Sequence, residues 1–171
     1  MRELKIAIRN LLSRGVIRLV NSAAKCQLVQ IEMLGGELKD DVEHLEPYGY
    51  TSCPHDGAEH VAVFPDGDKS HGVVLVVSDR RYRLKGLKKG EVALYTDEGD
   101  RIVLRRGRRI EIKTLTLAVE AEKEAIFDTP LLKCTGEISD QTGTMQTMRD
   151  QFNDHEHPGG TPTGKPKNRM E

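Results

Sequence analysis

The stretch RIVLRRGRRIEIKTLTLAV, residues 101–119, decides how this chain is read. Ile102 and Leu104 share one face of an extended backbone, and Ile110 and Ile112 do the same after Gly107. The phase then slips by one residue, so that Leu115, Leu117 and Val119 line up instead. A one-residue slip swaps the buried face, which predicts a bulge or corner near Thr114. Leu132, Cys134 and Ile138 resume an alternation, with Gly136 between the last two. This is a strand pattern with one apolar face and no partner helix to cover it. Within a single chain it leaves a long unpaired edge, and intertwining with copies of itself would close that edge. The competing local pattern is a helix over residues 118–125, rich in Ala and Glu, but about eight residues without caps are marginal as a helix.

Upstream, the elements are short and closely spaced. Leu4, Ile8, Leu11 and Leu12 form a helical stripe, with Gly15 at the C-cap position. Val29, Ile31 and Met33 alternate ahead of a Gly35-Gly36 turn. Residues 45–53 read as a loop. Val61 and Val63 alternate ahead of a turn built from Pro65, Asp66, Gly67 and Asp68. The run Val73-Val74-Leu75-Val76-Val77 reads as a buried central strand, residues 92–95 as another strand, and Glu98-Gly99 as a turn. Short strands with one small helix predict a mainly β chain whose first module, residues 1–99, is a small closed barrel of the oligonucleotide/oligosaccharide-binding (OB) type. Residues 100–139 form the second module. The third, residues 140–171, is apolar only at Met145, Met148, Phe152 and Met170 from Gln141 onward, and its composition predicts disorder.

Composition narrows the function. The 171 residues carry 26 Lys or Arg against 27 Asp or Glu, a formal net charge of -1, which argues against a dedicated polyanion binder. Aromatic residues make up 4% and Trp is absent, so the core must be modest. Cys26, Cys53 and Cys134 are too few and too scattered for a disulfide framework, and read as reduced thiols of a protein made in the cytoplasm. No charge-free stretch approaches the ~20 apolar residues of a membrane-spanning helix. The first twenty residues are broken by Arg2, Glu3, Lys5, Arg9, Arg14 and Arg18, unlike a secretory signal. The sequence holds no nucleophile elbow, dinucleotide fingerprint or Walker-type loop, and an enzyme is not expected.

The sharpest chemical motif is Asp154-His155-Glu156-His157-Pro158-Gly159-Gly160. In extended backbone His155 and His157 point to one face, with Glu156 pointing away. Two imidazoles make no tight site, but a three-fold axis would supply six, an octahedral nitrogen set that iron(II) accepts and structural zinc usually avoids. The alternative is a solvated His-Glu-His in a polar tail. Cys53-Pro54-His55 with His60 is a second donor group, although its spacing matches no common finger. Basic clusters (Arg80, Arg81, Arg83, Lys85, Lys88, Lys89; and Arg101, Arg105, Arg106, Arg108, Arg109) give an alternative function, a barrel that binds single-stranded nucleic acid. Tyr82 and Tyr95 are the only aromatics nearby to stack bases, so a solvated surface or a partner interface is the simpler reading.

Several segments together resemble a known family. Glu46-Pro47-Tyr48-Gly49-Tyr50-Thr51-Ser52, Gly57-Ala58-Glu59, Phe64 with Gly67-Asp68, and Tyr82-Arg83 are similar to the Mu-like phage baseplate assembly protein V family of central tail spikes. So are Lys89-Gly90-Glu91-Val92-Ala93-Leu94-Tyr95, Glu98-Gly99-Asp100, Phe127-Asp128-Thr129-Pro130 and His155-x-His157. The resemblance implies a homotrimer in which residues 1–99 form a barrel docked on a baseplate hub protein. Residues 100–139 would form an intertwined triple-stranded β-helix, and residues 140–171 a metal-bound apex. It implies His155 and His157 as ligands of one iron ion per trimer, with calcium or chloride near the apex in some members. Asp140, Asp150 and Asp154 are available carboxylates, without assigned ligation. The implied task is to pierce the host outer membrane when a contractile tail of a phage, prophage or tailocin contracts. The implied location is the virion tail baseplate, after synthesis in the host cytoplasm, and nucleic acid is not an expected partner.

Overall fold

A computed structural model describes residues 11–155, which divide into two compact units, residues 11–117 and 118–155. The first unit contains a closed five-stranded barrel. Its strands are β1 (Leu12–Asn21), β2 (Gln27–Met33), β3 (Leu38–His44), β4 (Glu59–Val63) and β5 (Val73–Ser78), in the order β1-β2-β3-β5-β4. All neighbours are antiparallel except β3 and β5, which pair in parallel through Glu43↔Val73 and His44↔Val74. β1 closes the barrel because its ten residues are long enough to pair with β2 and with β4. A register shift between Ile17 and Leu19 bends it between these two jobs.

The OB-like barrel therefore stands as expected, with three corrections inside it. Leu4 and Ile8 lie outside the described residues, but Leu12 opens β1 and Gly15 lies within it, not at a helix cap. The reason is close approach: a Cβ on Gly15 would lie 1.8 Å from the Glu32 carbonyl oxygen, so glycine lets β1 and β2 meet there. In β4 the inward residues are His60 and Ala62, while Val61 and Val63 are only half buried. Period-two alternation fixes a pair of faces but not which one turns inward. The Val73–Val77 run is buried at Val74 alone; Leu75 and Val76 face out, because one side of a barrel strand always meets solvent or a partner. The core comprises Ile17, Val29, Ile31, Met33, Val42, Ala58, Ala62, Phe64 and Val74. The alternation of β2 is clean, with Gln27, Val29, Ile31 and Met33 all buried.

Still in the first unit, β6 (Val92–Tyr95), β7 (Arg101–Arg105) and β8 (Arg109–Lys113) form an antiparallel three-stranded sheet. β6 pairs with β7 across residues 96–100, so the hairpin spans the position between Gly99 and Asp100. β8 ends at Lys113, next to the expected corner at Thr114.

In the second unit, residues 118–125 form no helix. Glu120, Glu122 and Glu124 crowd like charge into a segment with no cap. A helix does form where disorder was expected. α1 (Met145–Asp154) is N-capped by Thr144, whose hydroxyl accepts from the Thr147 N–H at 3.0 Å. Met145, Met148 and Phe152 fall at i, i+3 and i+7, a spacing that outweighs the polar composition of the tail. An isolated bridge between Ser139 and Thr144 precedes the helix.

Candidate functional site: the His155 end and the uncovered apolar strands

The helix ends at His155, in extended backbone geometry. Its Nδ1 lies 2.6 Å from the Phe152 carbonyl oxygen, and its ring packs against Phe152 with centroids 5.5 Å apart. A carbonyl can only accept, so Nδ1 carries the proton and Nε2 the lone pair. Metal-bound histidines are commonly oriented this way, with the second nitrogen donating to a backbone carbonyl. The donor chemistry at His155 thus fits a metal held through Nε2. His157 lies outside the described residues, and among the described residues no group of three or more His, Cys, Asp or Glu is gathered to hold a metal.

Asp140 is committed to its own turn. Its Oδ1 accepts from the Thr142 N–H (2.7 Å), the Thr142 hydroxyl (2.7 Å) and the Gly143 N–H (3.0 Å). These bonds hold its carboxyl below the usual range. Asp150 accepts from Gln146 at 2.9 Å, one turn earlier on the helix.

The second donor group is dispersed. Cys53 is exposed. His55 faces out, its Nε2 3.1 Å from Asp97 in the β6–β7 turn, with Tyr82 beside it. His60 is in the barrel core at 2% exposure, and neither ring nitrogen meets a hydrogen-bond partner. Burial lowers the His60 pKa, and that of His44, whose Nδ1 sits 2.9 Å from Gln27 Oε1.

The 46–52 loop is built around Glu46. Its carboxylate accepts from the Ser52 N–H (2.6 Å) and the Thr51 hydroxyl (2.8 Å), and Gln27 donates to the Ser52 carbonyl at 2.7 Å. Tyr48 and Tyr50 stay exposed on this loop. The segment is a loop, as its sequence suggests. The signal for its anchor was a carboxylate followed by adjacent Thr and Ser.

Four of the eleven cations that suggested nucleic-acid binding are already paired. Arg80 meets Glu59 at 2.8 Å, and Arg81 holds Asp79 through Nε (2.9 Å) and Nη2 (2.6 Å) while donating to the Asp56 carbonyl. Arg109 meets Glu111, and Arg105 bridges Glu91 and Glu111. Tyr82 packs on His55, with the Arg81 guanidinium 5.4 Å from its ring centre.

The largest chemical feature is apolar. In the three-stranded sheet, the cross-strand rows Val92–Leu104–Ile110 and Leu94–Ile102–Ile112 lie on one face, and all six side chains are exposed. Beyond it, Leu115 is fully exposed. Leu117, Val119, Ile126, Phe127, Leu131 and Leu132 are all at least 60% exposed, in a stretch with no strand and no helix. Exposed apolar surface on this scale marks an interaction face.

Residues 14–81 match the family model described as bacteriophage Mu Gp45, N-terminal. The chain is 35% identical over 145 residues to the baseplate puncturing device gp45 of Escherichia phage Mu, covering 85% of this chain and 74% of that protein. It is 34% identical over 142 residues to the Mu-like prophage FluMu protein gp45 of Haemophilus influenzae, covering 79% of this chain and 77% of that one.

Proposed function

The chain belongs to the bacteriophage Mu gp45 family and is a baseplate spike protein; we propose that it works as a homotrimer driven through the host outer membrane when the tail contracts. The observation that carries this reading is the uncovered apolar strand pattern. Leu115, Leu117 and Leu132 find no cover among the described residues. Three chains wound together would pair the free edges and bury these side chains against one another. Residues 1–99 then dock on the baseplate hub protein, with β6 attached to the base of a shaft made by residues 100–139, and residues 140–171 form the point. The work is mechanical. Contraction supplies force, and interdigitated chains must unwind together, so the spike resists it through slow unfolding.

At the point, His155 and His157 from three chains would offer six imidazoles to one iron ion. Such an ion would staple a tip that has little core of its own, since metal binding is there folding energy. The protonated Nδ1 of His155, held by the Phe152 carbonyl, supports this assignment by presenting Nε2. Calcium or chloride near the tip has no assigned ligand, and Asp140 is occupied by its own turn.

A combined mass and metal measurement tests the reading. Light scattering should give three times 19.1 kDa, about 57 kDa, and elemental analysis about one iron per three chains. His155→Ala with His157→Ala should abolish the iron and leave the barrel folded. A monomer at micromolar concentration overturns the trimer, and a metal-free protein purified without chelator overturns the iron tip.

A further inference from the structure

The net charge of -1 hides a segregation. Residues 31–60 hold eight Asp or Glu against one Lys, whereas residues 80–113 hold twelve Lys or Arg against five Asp or Glu. The surplus of cations gathers at one end of the β6–β8 sheet. The other end, at the β6–β7 turn, is where Asp97 meets His55 of the barrel. At the far end two turns from separate segments meet: residues 84–90, before β6, and residues 106–108, between β7 and β8.

One carboxylate stitches them together. Glu91 has a side chain only 3% exposed. It accepts from the Lys88 N–H at 2.9 Å, the Arg106 N–H at 3.3 Å and the Arg105 guanidinium at 3.2 Å. Arg106 lies across Gly90 so closely that a Cβ there would come within 2.9 Å of its Nη1. Gly107 and Arg108 both adopt positive φ, 81° and 59°, and turn the tip outward. Arg105 and Arg109 are used up in ion pairs. Lys85, Lys88, Lys89, Arg106 and Arg108 are exposed and make no ion pair among the described residues.

We propose that these five cations, fixed by Glu91, form a docking platform for the phosphate groups of anionic membrane lipids. The chemistry selects this occupant. Arg and Lys side chains match phosphate oxygens. No aromatic residue lies in either turn to stack a base, which disfavours single-stranded nucleic acid. Within the two turns the apolar side chains, Leu84 and Leu87, are partly buried, so the turns themselves present charge, which a lipid surface can meet without the apolar centre of a protein interface; the exposed row Val92–Leu104–Ile110 lies on the sheet beside them. The proposal rests on the spike reading, and it gives the spike a membrane contact in the first unit, in addition to the His155–His157 motif.

The test is co-sedimentation of the full chain with vesicles of phosphatidylglycerol mixed with phosphatidylcholine, against phosphatidylcholine alone. Binding should require the anionic lipid and disappear as salt is raised. Arg106→Gln with Arg108→Gln should weaken it about 25-fold, about fivefold per cation. Glu91→Gln is the sharper variant. It makes the chain more positive, so charge alone predicts tighter binding, whereas loss of the organising carboxylate predicts weaker binding. Far-UV circular dichroism confirms that each variant folds. Absence of wild-type binding to anionic vesicles at low salt overturns the proposal, as does tighter binding by a folded Glu91→Gln. A trimer that ignores the vesicles sinks the platform alone, while a monomeric mass sinks the spike. His155→Ala with His157→Ala should leave vesicle binding unchanged; its loss would move the contact to the tip.

Discussion

Residues 12–78 and residues 114–138 use the same apolar alphabet and put it in opposite places. In the barrel, Ile17, Ile31, Phe64 and Val74 are wholly buried, each strand covered by neighbours from its own chain. In the later stretch Leu115 is fully exposed and Ile126 and Leu131 nearly three-quarters so. The difference teaches that alternation specifies a strand and a wet or dry face, but leaves open which molecule supplies the neighbour. A barrel closes on itself because β1 can pair on both sides. Residues 114–138 keep the alternating pattern but form no strand among the described residues, because no such closing member pairs with them.

The comparison can be broken most directly at the exposed stretch. Leu117→Asp with Leu132→Asp should convert a particle of about 57 kDa to one of 19.1 kDa while leaving the melting of the barrel unchanged. Light scattering and calorimetry on the same sample check both halves. An equal loss of barrel stability would mean that the two regions fold as one. The converse substitution, Phe64→Ala, should cost the barrel about 3–5 kcal/mol in thermal melting, because it empties the centre of the core.

Acid should also act on the barrel. His60 and His44 are buried with depressed pKa values, so the unfolded chain takes up protons near pH 6.5 before the folded one does. Their contribution to stability is full above that pH and is lost as pH falls through the lower folded values. His60→Leu should therefore raise the melting temperature more at pH 5 than at pH 8, which a melting series across pH measures. The smallest expected effect is at α1. Thr144→Ala should cost about 1 kcal/mol of local helix stability and speed amide exchange there, with no change in the barrel.

Much of this was legible in the residues. β2 could be read directly from Val29, Ile31 and Met33; the bulge or corner expected near Thr114 falls where β8 ends, but the alternation expected to continue through Leu115, Leu117 and Val119 forms no strand. Gly15 was not legible, because a glycine that ends a helix and one that admits a neighbouring carbonyl look alike until the neighbour is known. The inward face of β4 was hidden by His60, a polar residue in a dry place. The helix at Met145 was hidden by averaging: composition over the tail drowned a cap and three apolar residues at helical spacing. At the candidate tip, the motif named His155, but only the contact with Phe152 gave its ring an orientation. The organisers Glu46 and Glu91 were visible only as members of a familiar string. Their bonding shows why those loops keep their shape.

The thirteen residues between β5 and β6, 79–91, contain no strand or helix, yet they connect the barrel to everything after it. A slender column under end load fails by bowing over its longest unbraced span. Here Arg81 braces the segment against Asp79 and the Asp56 carbonyl near its start, the His55–Asp97 contact ties the sheet back to the barrel alongside it, and Glu91 fixes its end. If the proposed spike is pushed from the barrel end, each brace would shorten the free span, and the joint between barrel and sheet would resist buckling without a helix or strand of its own.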